Sequence, residues 1–277
     1  MNSIKNIILI LFICFMANKA AAQKMYFNIN GGYSFMSNSS TFRFNNDKVF
    51  DSNTQIAVGL SSNENVKLSL GKGLNFGGTI GYQFHKNIGA EIGINYLISD
   101  KTTGSSKYID GSNYNTSLST KMFQIKPTVV LSTDFEKINP YVKIGAIIGL
   151  GKIYMEGFGL DVTDTYYDKT EMNGGIAMGV TASFGLNYNI HKNFDIFSEA
   201  SLNALNYTPK KGTLTAYTEN GIDKLPTIPV RGKEYVYVDT TSYTSGGPID
   251  DSKPRETMST KYPFSSIGIN IGIRYKL

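Results

Sequence analysis

Tryptophan is absent from this chain, cysteine occurs once and histidine twice among 277 residues. Each scarcity removes a class of chemistry. The lone Cys14 lies inside the apolar stretch Ile7 to Met16, so nothing downstream of it can form a disulfide or act through a thiolate. Only His85 and His191 remain for a Ser–His nucleophile or a zinc site, and both fall in short polar turns. Charge bias is weak as well: a formal net charge of +5, scattered along the chain, does not point to nucleic acid.

Long apolar runs are also missing. Ile7 to Met16 is about ten residues, half of what a spanning helix needs. With Lys5 before it and Ala20-Ala21-Ala22 behind, it predicts a signal peptide over 1–22, cleaved before Gln23. Phe12-Ile13 ahead of Cys14 do not match a lipoprotein processing site. Loss of Lys5 and Lys19 leaves 25 basic and 22 acidic residues over 23–277.

Glycine, tyrosine and phenylalanine are plentiful (28, 18 and 16), a composition that favours strands over helices. The pattern is clearest in Ile267-Gly268-Ile269-Asn270-Ile271-Gly272-Ile273-Arg274-Tyr275-Lys276-Leu277, where apolar residues alternate with small or polar ones. A period of two gives a strand one apolar and one polar face. The same alternation recurs over about 24–36, 74–84, 88–98, 121–132, 141–151, 174–189 and 194–204. Pro127 cannot donate to a ladder and predicts a bulge or weak pairing in the fourth stretch.

Connections alternate short (near 85–87, 133–139 and 190–193) and long (37–73, 99–120, 152–173 and 205–262). Short periplasmic turns and long external loops mark an outer-membrane barrel. A chain without spanning helices crosses lipid only as a closed barrel, because hydrocarbon cannot satisfy an open sheet edge. The expected fold is all-β, an antiparallel up-and-down transmembrane β-barrel of eight strands. Two further hairpins, Ile56, Val58 and Leu60 with Val66, Leu68 and Leu70, and Leu214–Tyr217 with Tyr235–Val238, either extend the sheet above the membrane or make a ten-stranded barrel. Phe27, Tyr82, Phe84, Tyr188, Phe194 and Tyr275 at one end, with Tyr33, Phe35 and Tyr96 at the other, fit interfacial girdles. The C-terminal residues Ile267, Ile269, Ile271, Ile273, Tyr275 and Leu277 are then lipid-facing.

The run Gly81-Tyr82-Gln83-Phe84-His85-Lys86-Asn87-Ile88-Gly89-Ala90-Glu91 and its looser echo Asn187-Tyr188-Asn189-Ile190-His191-Lys192-Asn193-Phe194 resemble the opacity-protein and outer-membrane-protein-A type of eight-stranded barrel, in its Bacteroidetes form. Pro140-Tyr141-Val142-Lys143-Ile144-Gly145 and the closing Gly272-Ile273-Arg274-Tyr275-Lys276-Leu277 are similar to family patterns too. The resemblance covers the strands and not the loops. Leu277 stands where the family usually has an aromatic, whereas Tyr275 keeps the likeness to a barrel-assembly signal, which implies the assembly machinery as a partner during biogenesis.

Charged residues on the inward faces, Glu91, Lys126, Lys143, Glu199 and Arg274, predict a barrel-interior network of salt bridges, with an ion path as the alternative. Asp161, Asp164, Asp168 and Glu171 crowd the third loop but lack the glycine-centred spacing of a calcium loop, so no metal or cofactor is expected. Lys152, Lys210, Lys211, Lys233, Lys253 and Arg255 pair with lipopolysaccharide phosphates or are ordinary surface charge. Tyr217, Tyr235, Tyr237 and Tyr243 in the fourth loop offer a contact surface for a protein partner, or pack for stability.

Three functions compete on this reading. One is a non-enzymatic outer-membrane barrel with a structural, surface-binding or accessory role through its loops. Another is a narrow channel for small or apolar solutes. A soluble lipocalin-like barrel with apolar residues inside is the third, and its Gly/Asn/Ser/Thr faces would make a poor water-facing surface.

Overall fold

The structure, a computed structural model, describes residues 25–37, 40–45, 48–51, 60–63, 65–108, 111–133, 135–161, 163–241 and 250–277. The predicted signal peptide, Ile56, Val58 and Tyr243 lie outside these residues.

Eight strands form the ring: β1 Met25–Met36, β2 Gly73–His85, β3 Ile88–Ser99, β4 Asn113–Ser132, β5 Ile138–Asp161, β6 Ala177–His191, β7 Phe194–Tyr207 and β8 Ser266–Lys276. Each pairs antiparallel with the next, and β8 closes onto β1 in the register Tyr26↔Lys276 to Met36↔Ser266. Closure leaves the ring without an edge, as a strand fold in hydrocarbon requires.

Alternation along each strand gives the wall two chemically distinct faces. On β8, Ile269, Ile271 and Ile273 are 58%, 67% and 56% exposed, whereas Asn270 and Arg274 between them are 7% and 9% exposed. Every strand repeats this, with Ile29, Ile80, Ile92, Val129, Ile144, Met178, Ile196 and Ile271 exposed around the circumference. A continuous apolar belt of that size is foreign to a soluble monomer and fits acyl chains. A lipocalin would place these side chains inside, so that reading fails.

At Pro127 the β4–β5 ladder runs Gly145↔Thr128 and then Ile148↔Ile125, skipping two pairs without a change of register. The missing amide therefore opens the ladder locally and produces no bulge. Above the membrane the strands run farther than their alternation predicts, β4 beginning at Asn113 rather than Lys121 and β5 continuing to Asp161 rather than Gly151. Ile153 and Leu118 keep an apolar inner face there, and added strands pair the backbone on either side. Thr102–Tyr108 pairs with β4 and Asp164–Asn173 with β5; Lys211–Glu219, Glu234–Val238 and Arg255–Met258 continue the sheet outward, the last pairing in parallel.

The loop hairpins thus raise the wall and leave the ring at eight strands. Leu214–Tyr217 and Tyr235–Val238 do lie on paired strands. Of the other expected hairpin only the part from Leu60 on is described, and there the two arms part: Leu60–Asn63 pairs with Thr102–Tyr108, whereas Asn65–Leu68 pairs with Ser40–Asn45 in a small separate sheet.

The interior is layered. Asp195 and Lys276, 2.8 Å apart, lie toward the periplasmic end, followed by the charged cluster described below. Above it come amides and hydroxyls such as Asn95, Gln124, Thr181, Ser201 and Asn270. Toward the outside the filling becomes apolar, with Leu97, Leu118, Met122, Ile147, Ile153 and Leu205 all at most 3% exposed. Two segments, around Leu70 and Phe264, fold into this mouth; Leu70 N–H to the Pro263 carbonyl (2.8 Å) ties them together, and Phe264 N–H to the Leu205 carbonyl (2.9 Å) ties the second to β7. Tyr207 adds an O–H donated to the Gly151 carbonyl at 2.8 Å.

Candidate functional site

Four of the five predicted interior charges meet. Lys143 on β5 sits between Glu91 on β3 and Glu199 on β7, 2.8 Å from each. Arg274 on β8 lies 3.5 Å from Glu91 and donates from Nε to Asn28 Oδ1 at 3.0 Å. The hydroxyls of Tyr26 and Tyr141 complete the carboxylate shells, donating to Glu91 (2.7 Å) and Glu199 (3.0 Å). The Arg274 guanidinium also stacks 4.1 Å from the Tyr26 ring centre.

Glycine makes room for both rings. Gly81 is the cross-strand partner of Tyr26 and Gly185 of Tyr141, and a Cβ at either would run into the ring. Lys126 stands apart: among the described residues it forms no ion pair, and it borders two polar cavities of about 50 and 10 Å³. Water needs about 10–15 Å³ of such space, so these hold a few waters at most. The cluster presents no activated nucleophile and no metal-ligand geometry; its chemistry is mutual neutralisation.

A second site lies above the membrane, where the inner face of the raised wall meets the strands Glu234–Val238 and Arg255–Met258. This cleft of about 380 Å³ is walled by Tyr217, Tyr235 and Tyr237, floored by Met155, Met172 and Leu214, and edged by Arg255. Three of the four tyrosines expected as a contact surface are therefore gathered here. Tyr217 donates to Glu219 (2.8 Å) and Tyr235 to the Gly232 carbonyl (3.0 Å), which fixes their rings. Burial raises the Tyr237 hydroxyl to about 12, and burial with the Glu219 hydrogen bond raises that of Tyr217, so both stay neutral donors at physiological pH. Among the described residues Arg255 forms no ion pair. Met155 and Met172 were not expected here; the signal for Met155 was its inward parity, which continues from Ile153, whereas Met172 is placed by pairing opposite Ile153.

The remaining candidates are dispersed. His85 and His191 are exposed as the last residues of β2 and β6, each just before the turn in which it was expected. Of the third-loop acids, Asp161 accepts from Ser112 (2.8 Å), Asp164 from Asn220 (2.7 Å), and Glu171 pairs with Lys152 (3.1 Å), so they share no centre. Among the described residues no group of three or more His, Cys, Asp or Glu is placed to hold a metal.

A family model for the outer membrane protein beta-barrel domain matches residues 7–223. The chain belongs to this family of outer-membrane β-barrels. Membership places this barrel in the outer membrane, in keeping with its aliphatic belt. Among solved structures, Ail, the attachment invasion locus protein of Yersinia pestis, aligns over 91% of this chain and 98% of its own, with 12% identity and a TM-score of 0.30. CarO2 of Acinetobacter baumannii aligns over 73% and 92%, also at 12% identity, with a TM-score of 0.32. No curated protein matches the chain.

Proposed function

We propose that this barrel is a non-enzymatic surface protein that binds a partner through its extracellular cleft. The observation that carries the reading is a contrast of fillings. The barrel interior is occupied by paired charges below and apolar side chains above, whereas the raised wall leaves a cleft of about 380 Å³ lined by fixed tyrosines, methionines and an arginine. Rigid aromatic side chains with polar tips bind at small entropic cost.

The test compares affinity purification from native membranes with the wild type and with a Tyr217→Ser/Tyr235→Ser/Tyr237→Ser variant. A partner retained by the wild type and lost by the variant is expected; equal recovery by both would overturn the reading. Planar-bilayer recording addresses the channel alternative, against which the apolar outer layer argues. Silent wild-type barrels are expected, and steady openings would favour conduction.

A further inference from the structure

We propose that a row of lysines on the outer face of the wall binds the phosphates of an outer-leaflet glycolipid. Lys121 on β4 and Lys152 on β5 are direct cross-strand partners, both exposed and both pointing outward. Like charges placed opposite each other destabilise a ladder unless a counter-charge joins them. Lys152 has Glu171 at 3.1 Å, whereas Lys121 forms no ion pair among the described residues.

Height fixes the nature of that counter-charge. The next outward pair below is Phe123↔Leu150, 39% and 48% exposed, which is the top of the aliphatic belt. The two ammonium groups therefore sit where acyl chains give way to headgroups. At the same level, Lys210 and Lys211 flank Gly174, two residues beyond the exposed Ile176. Two outward pairs higher, Lys101 (2.6 Å) and Lys169 (3.3 Å) share Glu156.

This sector holds six lysines and two glutamates. Asp100, nearby in sequence, is engaged by Lys72 at 3.3 Å and by the Tyr33 hydroxyl. An excess of cations directly over exposed apolar side chains fits a ligand with phosphates above acyl chains, and lysine serves phosphate as a point charge. The proposal rests on the orientation of the barrel in the membrane and is independent of the cleft.

The folded barrel in neutral detergent is titrated with bisphosphorylated lipid A, with dephosphorylated lipid A and with inorganic phosphate, for the wild type and a Lys121→Gln/Lys152→Gln/Lys211→Gln variant. Bisphosphorylated lipid should bind the wild type about a hundredfold more tightly, on the order of fivefold per lysine. Dephosphorylated lipid should bind both proteins equally weakly, and inorganic phosphate should leave the melting temperature unchanged. Without lipid the variant should melt close to the wild type, because removal of the repulsive pair offsets loss of the exposed Lys152–Glu171 contact. Lys121→Glu, which sets a carboxylate opposite Lys152, provides a second readout: higher melting without lipid and weaker lipid binding. Equal lipid A affinity of wild type and triple variant would overturn the proposal. So would inorganic phosphate shifting the melting temperature as far as the lipid does.

Discussion

Arg274 illustrates how little latitude an interior side chain has in a barrel this narrow. Its guanidinium reaches Glu91, Asn28 and the Tyr26 ring at once, with only 9% of the residue exposed. Arg274→Met leaves Glu91 with Lys143 alone as counter-charge and is expected to destabilise the fold by about 3 kcal/mol. Thermal unfolding in detergent micelles checks this, and an unchanged midpoint would mean the cluster is not coupled as its geometry indicates. Gly185 faces the opposite constraint, since the Tyr141 ring lies where its Cβ would be. Gly185→Val should displace the ring, break the hydrogen bond to Glu199 and reduce the yield of folded barrel, read as loss of the compact form on unheated gels; Ala200→Val, on the outward face of the next strand, should fold normally.

Strand length is what distinguishes one side of the molecule from the other. β5 runs 24 residues and β8 only 11, so the wall rises above the membrane on the β4–β5 side. Ion pairs help hold that rise: the Lys101 ammonium beside Glu156 keeps its carboxyl below the ordinary range, with Lys169 assisting. A depressed carboxylate stabilises the fold above its unfolded pKa of about 4.3 and loses that contribution as pH falls through the folded value. Amide exchange in 153–160 should therefore accelerate below about pH 4 relative to 142–150, and Glu156→Gln should remove that pH dependence. The membrane-crossing parts of these strands were legible because a period of two survives any loop. Their extensions were not, since pairings such as Tyr166↔Glu219 join segments some fifty residues apart and leave no local trace. The interior charges could be read from parity; that Lys126 would stand apart from the pairs could not, because parity fixes a face and not a distance. Ile147-Ile148 and Leu97-Ile98 did carry a signal for the apolar filling, since doubled apolar residues mark the height where both faces lose polarity.

For the molecule as a whole, the apolar layer in the mouth makes the barrel a stoppered vessel. Ile147→Ala should cost about 3 kcal/mol as a cavity in a close-packed layer, measurable by urea unfolding in micelles. An unaltered midpoint would indicate a layer loose enough to collapse. The seam between β1 and β8 has a kinetic corollary. Tyr26 meets Lys276 across 249 intervening positions, so the ring remains ajar until almost every other contact exists. An eight-strand arc open at this seam would present two ragged rims of unsatisfied amides to hydrocarbon, a state that cannot persist there. Closure of such a cylinder is therefore the slow, last event of its folding, and the rate at which those two rims find each other, more than the strength of any ion pair, should govern how quickly the molecule matures.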